Sequence, residues 1–126
     1  MWLVNGRAGL HLDREILAGM YEALRVCPPF RRWRLPPASD IRFVVSRHKD
    51  REGQYTRILR TDKHFIYVST VRIGHFDSLA IVMAHEMIHL EQAIAKKETR
   101  GQHNADFRRK AARVCKTLGF DPRLFC

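Results

Sequence analysis

Three residues near the middle of the chain have the types and spacing to hold a metal ion beside a base: His85, Glu86 and His89. On an α-helix, residues four apart lie one turn apart on one face, so the imidazoles of His85 and His89 can share one ion. Glu86 follows His85 directly and projects beside the pair. From there its carboxylate reaches a metal-activated water without ligating the metal. Such a set suits hydrolysis, with the ion polarising the target and the carboxylate moving the proton. The competing reading makes all three residues satisfied core groups. Polar groups in a buried helix are costly unless paired or ligated, and a triple at this spacing favours the metal.

The element that must position them is the stretch 78–97, which contains no Pro or Gly. Asp77 or Ser78 suits the N-cap. Leu79, Ile81, Val82, Met83, Met87, Ile88, Leu90 and Ile94 point in nearly every direction around a helical wheel, which predicts a helix buried on several sides.

A catalytic zinc site takes three protein ligands and a water. Glu91 and Glu98 lie too close to the motif and fall on its own helix. Asp106 is a candidate. His103, 14 residues after His89, is better placed. It stands just before Asn104, the expected N-cap of a last helix that can fold back on the first. In that helix Phe107, Ala111, Val114, Cys115 and Leu118 form an apolar stripe, and Gly119 is the expected stop. Arg109, Arg113 and Lys116 cluster opposite, with Arg108 and Lys110 beside them. Such a face is ordinarily solvated, and it also suits contacts to phosphates.

Upstream, Leu12, Ile16, Leu17, Met20, Tyr21 and Leu24 follow the helical period until Cys27-Pro28-Pro29 ends it. Residues 30–40 form a Pro-bounded connection holding Arg31-Arg32-Trp33-Arg34. It reads first as a loop pinned by Phe30 and Trp33 with solvated arginines; basic residues beside aromatics also suit a nucleic acid strand. Strands are expected at 41–46, 54–60 and 64–71, joined by polar turns as an antiparallel meander, with Gly74 breaking the pattern before the motif helix. His48, His64 and His75 stand alone and read as surface or loop residues, His75 being nearest the motif.

The 126 residues suit one domain with its own core. Cys27, Cys115 and Cys126 form no C-x-x-C pair, so neither a zinc ribbon nor a disulfide framework is expected. No uninterrupted apolar run reaches membrane-spanning length, and the first residues lack the apolar core of a signal peptide. An intracellular monomer is therefore expected, cytoplasmic or nucleoid-associated. The net charge of +10 points to a polyanionic partner, nucleic acid first.

H-E-x-x-H is the signature of the zincin metallopeptidases. Ala95 stands where metzincins place a third histidine. The run His85-Glu86-Met87-Ile88-His89, followed by His103-Asn104-Ala105-Asp106-Phe107-Arg108-Arg109, resembles the SprT-like metallopeptidases, the family of bacterial SprT and the eukaryotic Spartan proteases. In that family a H-G-x-x-F-like stretch opens the final helix. The leading helix, the small sheet and Ile66-Tyr67-Val68-Ser69 before the motif helix also match the family's order, from Leu12 to Phe120. Asn104 replaces the usual glycine; Asn also caps helices and tolerates positive φ.

The resemblance implies a single α+β domain over 1–126, a minimal zincin-like fold without the zinc ribbon of many members. It implies one Zn²⁺ per chain on His85, His89 and His103, with Glu86 as the catalytic base. It also implies peptide-bond hydrolysis directed at proteins bound or crosslinked to DNA, and the basic face of Arg108, Arg109, Arg113 and Lys116 is the expected DNA contact. Tyr67 and His75 are candidates to stabilise the oxyanion, and the 64–71 strand to hold substrate as an added strand. Two other readings stand beside this one. The first is a nucleic-acid-binding protein with structural zinc, against which an intact Glu86 argues. The second is a peptidase that acts without DNA.

Overall fold

The computed structural model describes residues 11–57, 63–73, 75–95 and 103–125. The expectations for residues 1–10, 58–62, 74, 96–102 and 126 fall outside these. The element order is α1 (Arg14–Arg25), β1 (Ile41–Ser46), β2 (Gly53–Arg57), β3 (His64–Ser69), α2 (Phe76–Ile94), α3 (Ala105–Leu118) and α4 (Pro122–Phe125). Among the described residues four α-helices pack with one three-stranded mixed sheet, an α+β arrangement. No helix among the described residues is long and apolar enough to cross a membrane.

Asp13 caps α1, its Oδ1 accepting the Ile16 N–H at 2.8 Å. The helix buries Leu17, Met20, Tyr21 and Leu24, one apolar stripe at helical spacing. Two 3₁₀ turns, Phe30–Arg32 and Ala38–Asp40, carry the chain from α1 to β1. Phe30 is fully buried beneath Trp33, and Tyr21 donates its hydroxyl to the Pro36 carbonyl at 2.6 Å.

The sheet is not the expected antiparallel meander. Its order is β1-β3-β2, with β3 parallel to β1 and antiparallel to β2. Residues 47–52 carry no two-residue hairpin signal, and six residues easily span the two strand spacings, about 10 Å, that skip a strand. β3 buries His64, Ile66, Val68 and Ser69, so it gains most from being paired on both sides. β2 reads Gly53-Gln54-Tyr55-Thr56-Arg57 and is nowhere fully buried, which suits an edge.

α2 crosses the centre of the molecule, touching α1, the sheet, α3 and α4. It starts at Phe76, two residues before Ser78, with His75 as a cap residue whose side chain bonds nothing at the helix end. Asp77 lies in the first turn and accepts the Ser78 N–H. Leu79, Met83, Met87, Ile88 and Leu90 are fully buried, as a helix apolar on all sides requires. α3 follows the expected stripe, with Phe107, Ala111, Val114 and Cys115 buried and Leu118 packed against them. It ends at Gly119, whose φ of 80° is the left-handed closure glycine favours.

Candidate metal centre

His85 and His89 project from one face of α2, their ring centroids 5.1 Å apart. α3 brings His103 to meet them, at 4.9 Å from His85 and 5.4 Å from His89. One ligand nitrogen from each histidine lies within 4.8 Å of the others. The Nε2 atoms of His85 and His103 are 3.2 Å apart. Two nitrogens bound at about 2.0–2.1 Å to one tetrahedral zinc would lie about 3.3–3.4 Å apart, so the residues fit such an ion. Asp106, the other candidate ligand, is turned away. Its carboxylate accepts from Gln92 at 3.0 Å and from Lys110 at 2.9 Å. Glu91 is likewise engaged by Lys110, which is therefore inside an ion-pair cluster and not on the solvated face expected of it.

The position of His103 is set by contacts to the residue itself and to the Asn104 cap that follows it. Asn104 Oδ1 caps α3 by accepting the Phe107 N–H at 2.9 Å. Buried Gln92, on α2, donates to the same oxygen at 2.9 Å, pinning the start of α3 against the motif helix. The Arg108 guanidinium donates to the His103 carbonyl at 2.7 Å. The ring of Phe107, fully buried, stacks on His103 at 4.4 Å and on His89 at 4.7 Å, making a floor under two imidazoles.

His85 is fixed from its far side. Its Nδ1 lies 2.7 Å from the carbonyl oxygen of Phe125, in α4. Nδ1–H must then be the donor, which leaves the Nε2 lone pair toward the cluster. Burial lowers the His85 pKa, outweighing the Phe125 carbonyl, and burial with His85 and His103 nearby lowers His89 to about 4. Both are neutral near pH 7, the form that ligates a metal. α4 has only four residues and no readable period, so nothing in the sequence announced it.

Glu86 is buried, and burial raises its carboxyl to about 8, against the pull of the Tyr55 backbone N–H that bonds it. That donor comes from β2. Ser69 N–H bonds to the Glu52 carbonyl at 2.9 Å, so alternation turns the backbone groups of Gly53, Tyr55 and Arg57 to the outer edge, toward α2. Gly53 allows the approach. A Cβ there would meet Val82 Cγ1 at 2.6 Å and Glu86 Oε2 at 3.2 Å.

His85, Glu86 and His103 open onto a cleft of about 430 Å³. Its lining includes the apolar Ile81, Val82, Leu124 and Phe125 and the charged Arg51, Glu52 and Arg72. Neither Tyr67 nor His75 lines it. Tyr67 alternates with buried Ile66 and Val68 and stacks on Phe65. Arg72, anchored to the Lys49 carbonyl at 3.2 Å, lines the cleft together with Arg51, and no sequence pattern singled it out. His64 is a buried strand residue bonded to the Tyr55 hydroxyl at 2.7 Å, not a surface histidine. β3 is central and offers no edge; the edge beside the motif is β2. Arg108, Arg109, Arg113 and Lys116 are all exposed on α3, with Arg109 loosely paired to Asp106 at 3.4 Å.

Comparison with the models of known protein families finds no match, and comparison with curated proteins finds no relative.

Proposed function

We propose that this chain is a zinc-dependent metallopeptidase of the SprT-like kind, on a minimal zincin-like domain. The observation that carries the reading is the convergence of His85, His89 and His103 within 4.8 Å on one side of the buried Glu86 carboxylate. Three imidazoles suit zinc, and their opening onto a cleft suits catalysis better than a closed structural site. A zinc ion there would supply Lewis acidity and a water of lowered pKa.

The chain's own residues do the rest. Glu86 takes a proton from the attacking water and returns it to the leaving amine; a carboxyl poised near neutrality by burial suits both transfers. Phe107 and the Phe125 carbonyl keep the imidazoles oriented. An extended peptide laid in the cleft, between Gly53 and Leu124, passes Glu86. The apolar wall of Ile81, Val82 and Leu124 receives a nonpolar side chain, and Arg72 is the candidate for the charge that develops on the carbonyl oxygen. With a net charge of +10, the natural substrates are proteins associated with nucleic acid.

The test is zinc content with peptidase activity. Wild type should carry one zinc per chain and cleave an unfolded protein; His103→Ala should lose most of the metal. Glu86→Gln should keep the zinc and lose activity by about 10²-fold or more. A metal-replete wild type without zinc, or an active Glu86→Gln, ends the proposal.

A further inference from the structure

Two basic clusters that are far apart in sequence meet on one concave surface. The 3₁₀ turn after Pro28-Pro29 contributes Arg31 and Arg32, and Trp33 follows it. The C-terminal half of α3 contributes Arg113 and Thr117. Together they enclose a pocket of about 440 Å³. All three arginines are exposed, and none is ion-paired among the described residues. Among the described residues no carboxylate lines the pocket. Lys110, also on α3, is tied to Glu91 and Asp106 and sits 5.8 Å from the centre of the Trp33 ring.

Three guanidinia gathered without a counter-charge repel one another, and a bound anion relieves that repulsion. Guanidinium is the group best matched to phosphate oxygens, which it grips with paired donors. Trp33 is partly exposed and supplies an aromatic wall, which an inorganic anion does not use and a nucleotide base does. The pocket is concave, so it admits a flexible strand that can turn a base inward; the stiff outer surface of a duplex cannot follow it. From the pocket, Lys116, Arg113 and Arg109 run along one face of α3, at positions three and four apart, back toward His103. The distance along that helix is roughly 15–20 Å at 1.5 Å per residue.

We infer that Arg31, Arg32, Trp33 and Arg113 form a binding site for the phosphodiester backbone of a single-stranded nucleic acid. The α3 cations guide the strand toward the metal cleft. The inference rests on the reading of the net charge as a nucleic-acid footprint, and not on peptidase activity.

The test uses the zinc-loaded full chain and a fluorescein-labelled oligothymidylate of 20 nucleotides, followed by anisotropy across a salt series. Arg31→Ala/Arg32→Ala/Arg113→Ala should bind at least about tenfold more weakly near 100 mM salt. The slope of log K against log salt should shrink by about two, since each lost phosphate contact on a single strand is worth about 0.7. Arg14→Ala/Arg42→Ala/Arg47→Ala removes equal charge elsewhere and should cost less than about threefold. Equal losses in the two triples, or none in the first, overturn the site. Duplex binding as tight as that of the single strand overturns the single-strand assignment. In a Trp2→Phe chain with every arginine intact, Trp33 emission should be quenched with the same midpoint as the anisotropy. Unchanged emission at saturation overturns the site even if the first triple fails to fold. Binding by Glu86→Gln should equal that of wild type, so a failed peptidase reading leaves this result standing.

Discussion

His85 and Phe125 stand 40 residues apart and are joined by a hydrogen bond of 2.7 Å between the imidazole Nδ1 and a backbone carbonyl. The bond selects the tautomer whose Nε2 is free to ligate. It depends on a four-residue helix, held down by the Phe125 ring against His85 at 5.6 Å and Phe120 at 6.1 Å. Phe125→Ala should release α4 and free the His85 ring to change orientation. Zinc affinity, read by competition with a chromophoric chelator, should fall about ten- to a hundredfold while the far-ultraviolet circular dichroism holds. An unchanged affinity would mean that α2 alone orients His85.

Gln92 does for His103 what α4 does for His85. One buried amide donates to both Asn104 and Asp106, at 2.9 and 3.0 Å, tying the cap of α3 to α2. Gln92→Leu keeps the volume and removes the donor, leaving the Asp106 carboxylate to Lys110 and Arg109. Unfolding of the metal-free protein by urea should come about 1–3 kcal/mol easier. Zinc affinity should fall as well, because His103 precedes the loosened cap. Lost stability with unchanged zinc affinity would assign the placing of His103 to the Phe107 stack alone.

What could be read from the residues was whatever repeats within one element. The apolar stripe of α3, its Asn104 cap and Gly119 stop, and the all-round apolar character of α2 are properties of neighbours three and four apart, so they were legible. So was the meeting of His103 with His85 and His89, because the order of motif, loop and cap left few other places for a third ligand. Strand alternation, in contrast, reports which side is buried and nothing about which strand lies alongside, so the parallel pairing of β1 with β3 was hidden. His64 and Lys110 took their inward partners through tertiary contacts with Tyr55 and Glu91. The junction of Arg31 with Arg113 is likewise a fact of space, with no trace in spacing.

Gly53 is the point where the edge strand leans on the motif helix. An added methyl would stand 2.6 Å from Val82 Cγ1 and 3.1 Å from the Tyr67 carbonyl, so either β2 or the Val82 side chain must shift. Gly53→Ala should cost about 1–3 kcal/mol of stability and weaken the hold of the Tyr55 N–H on Glu86. Val82→Ala clears the nearest atom, and the double variant should lose less than the sum of the singles, a coupling measurable by urea unfolding. Strict additivity would show that the contact is relieved by some other movement.

Glu22 joins α1 to the turn before β1, and its charge should make stability depend on pH. The Arg25 guanidinium beside it holds its carboxyl below the ordinary carboxylate value; burial opposes this, and the Ala38 N–H adds to the lowering. The Ala38 N–H bond is 2.7 Å, and Arg25 Nη2 lies 2.8 Å from Oε1. A group whose folded pKa is depressed stabilises the fold above its unfolded pKa, and that contribution is lost as pH falls through the folded pKa. Glu22→Gln should therefore lower the melting temperature near pH 7 and converge with wild type as pH falls through the depressed folded pKa, below the ordinary carboxylate range. The side chain is 38% exposed, so solvent screening keeps the Arg25 part small. High salt should remove that part and leave the Ala38 bond. A difference that persists undiminished at low pH would mean that Glu22 acts by packing and not by charge.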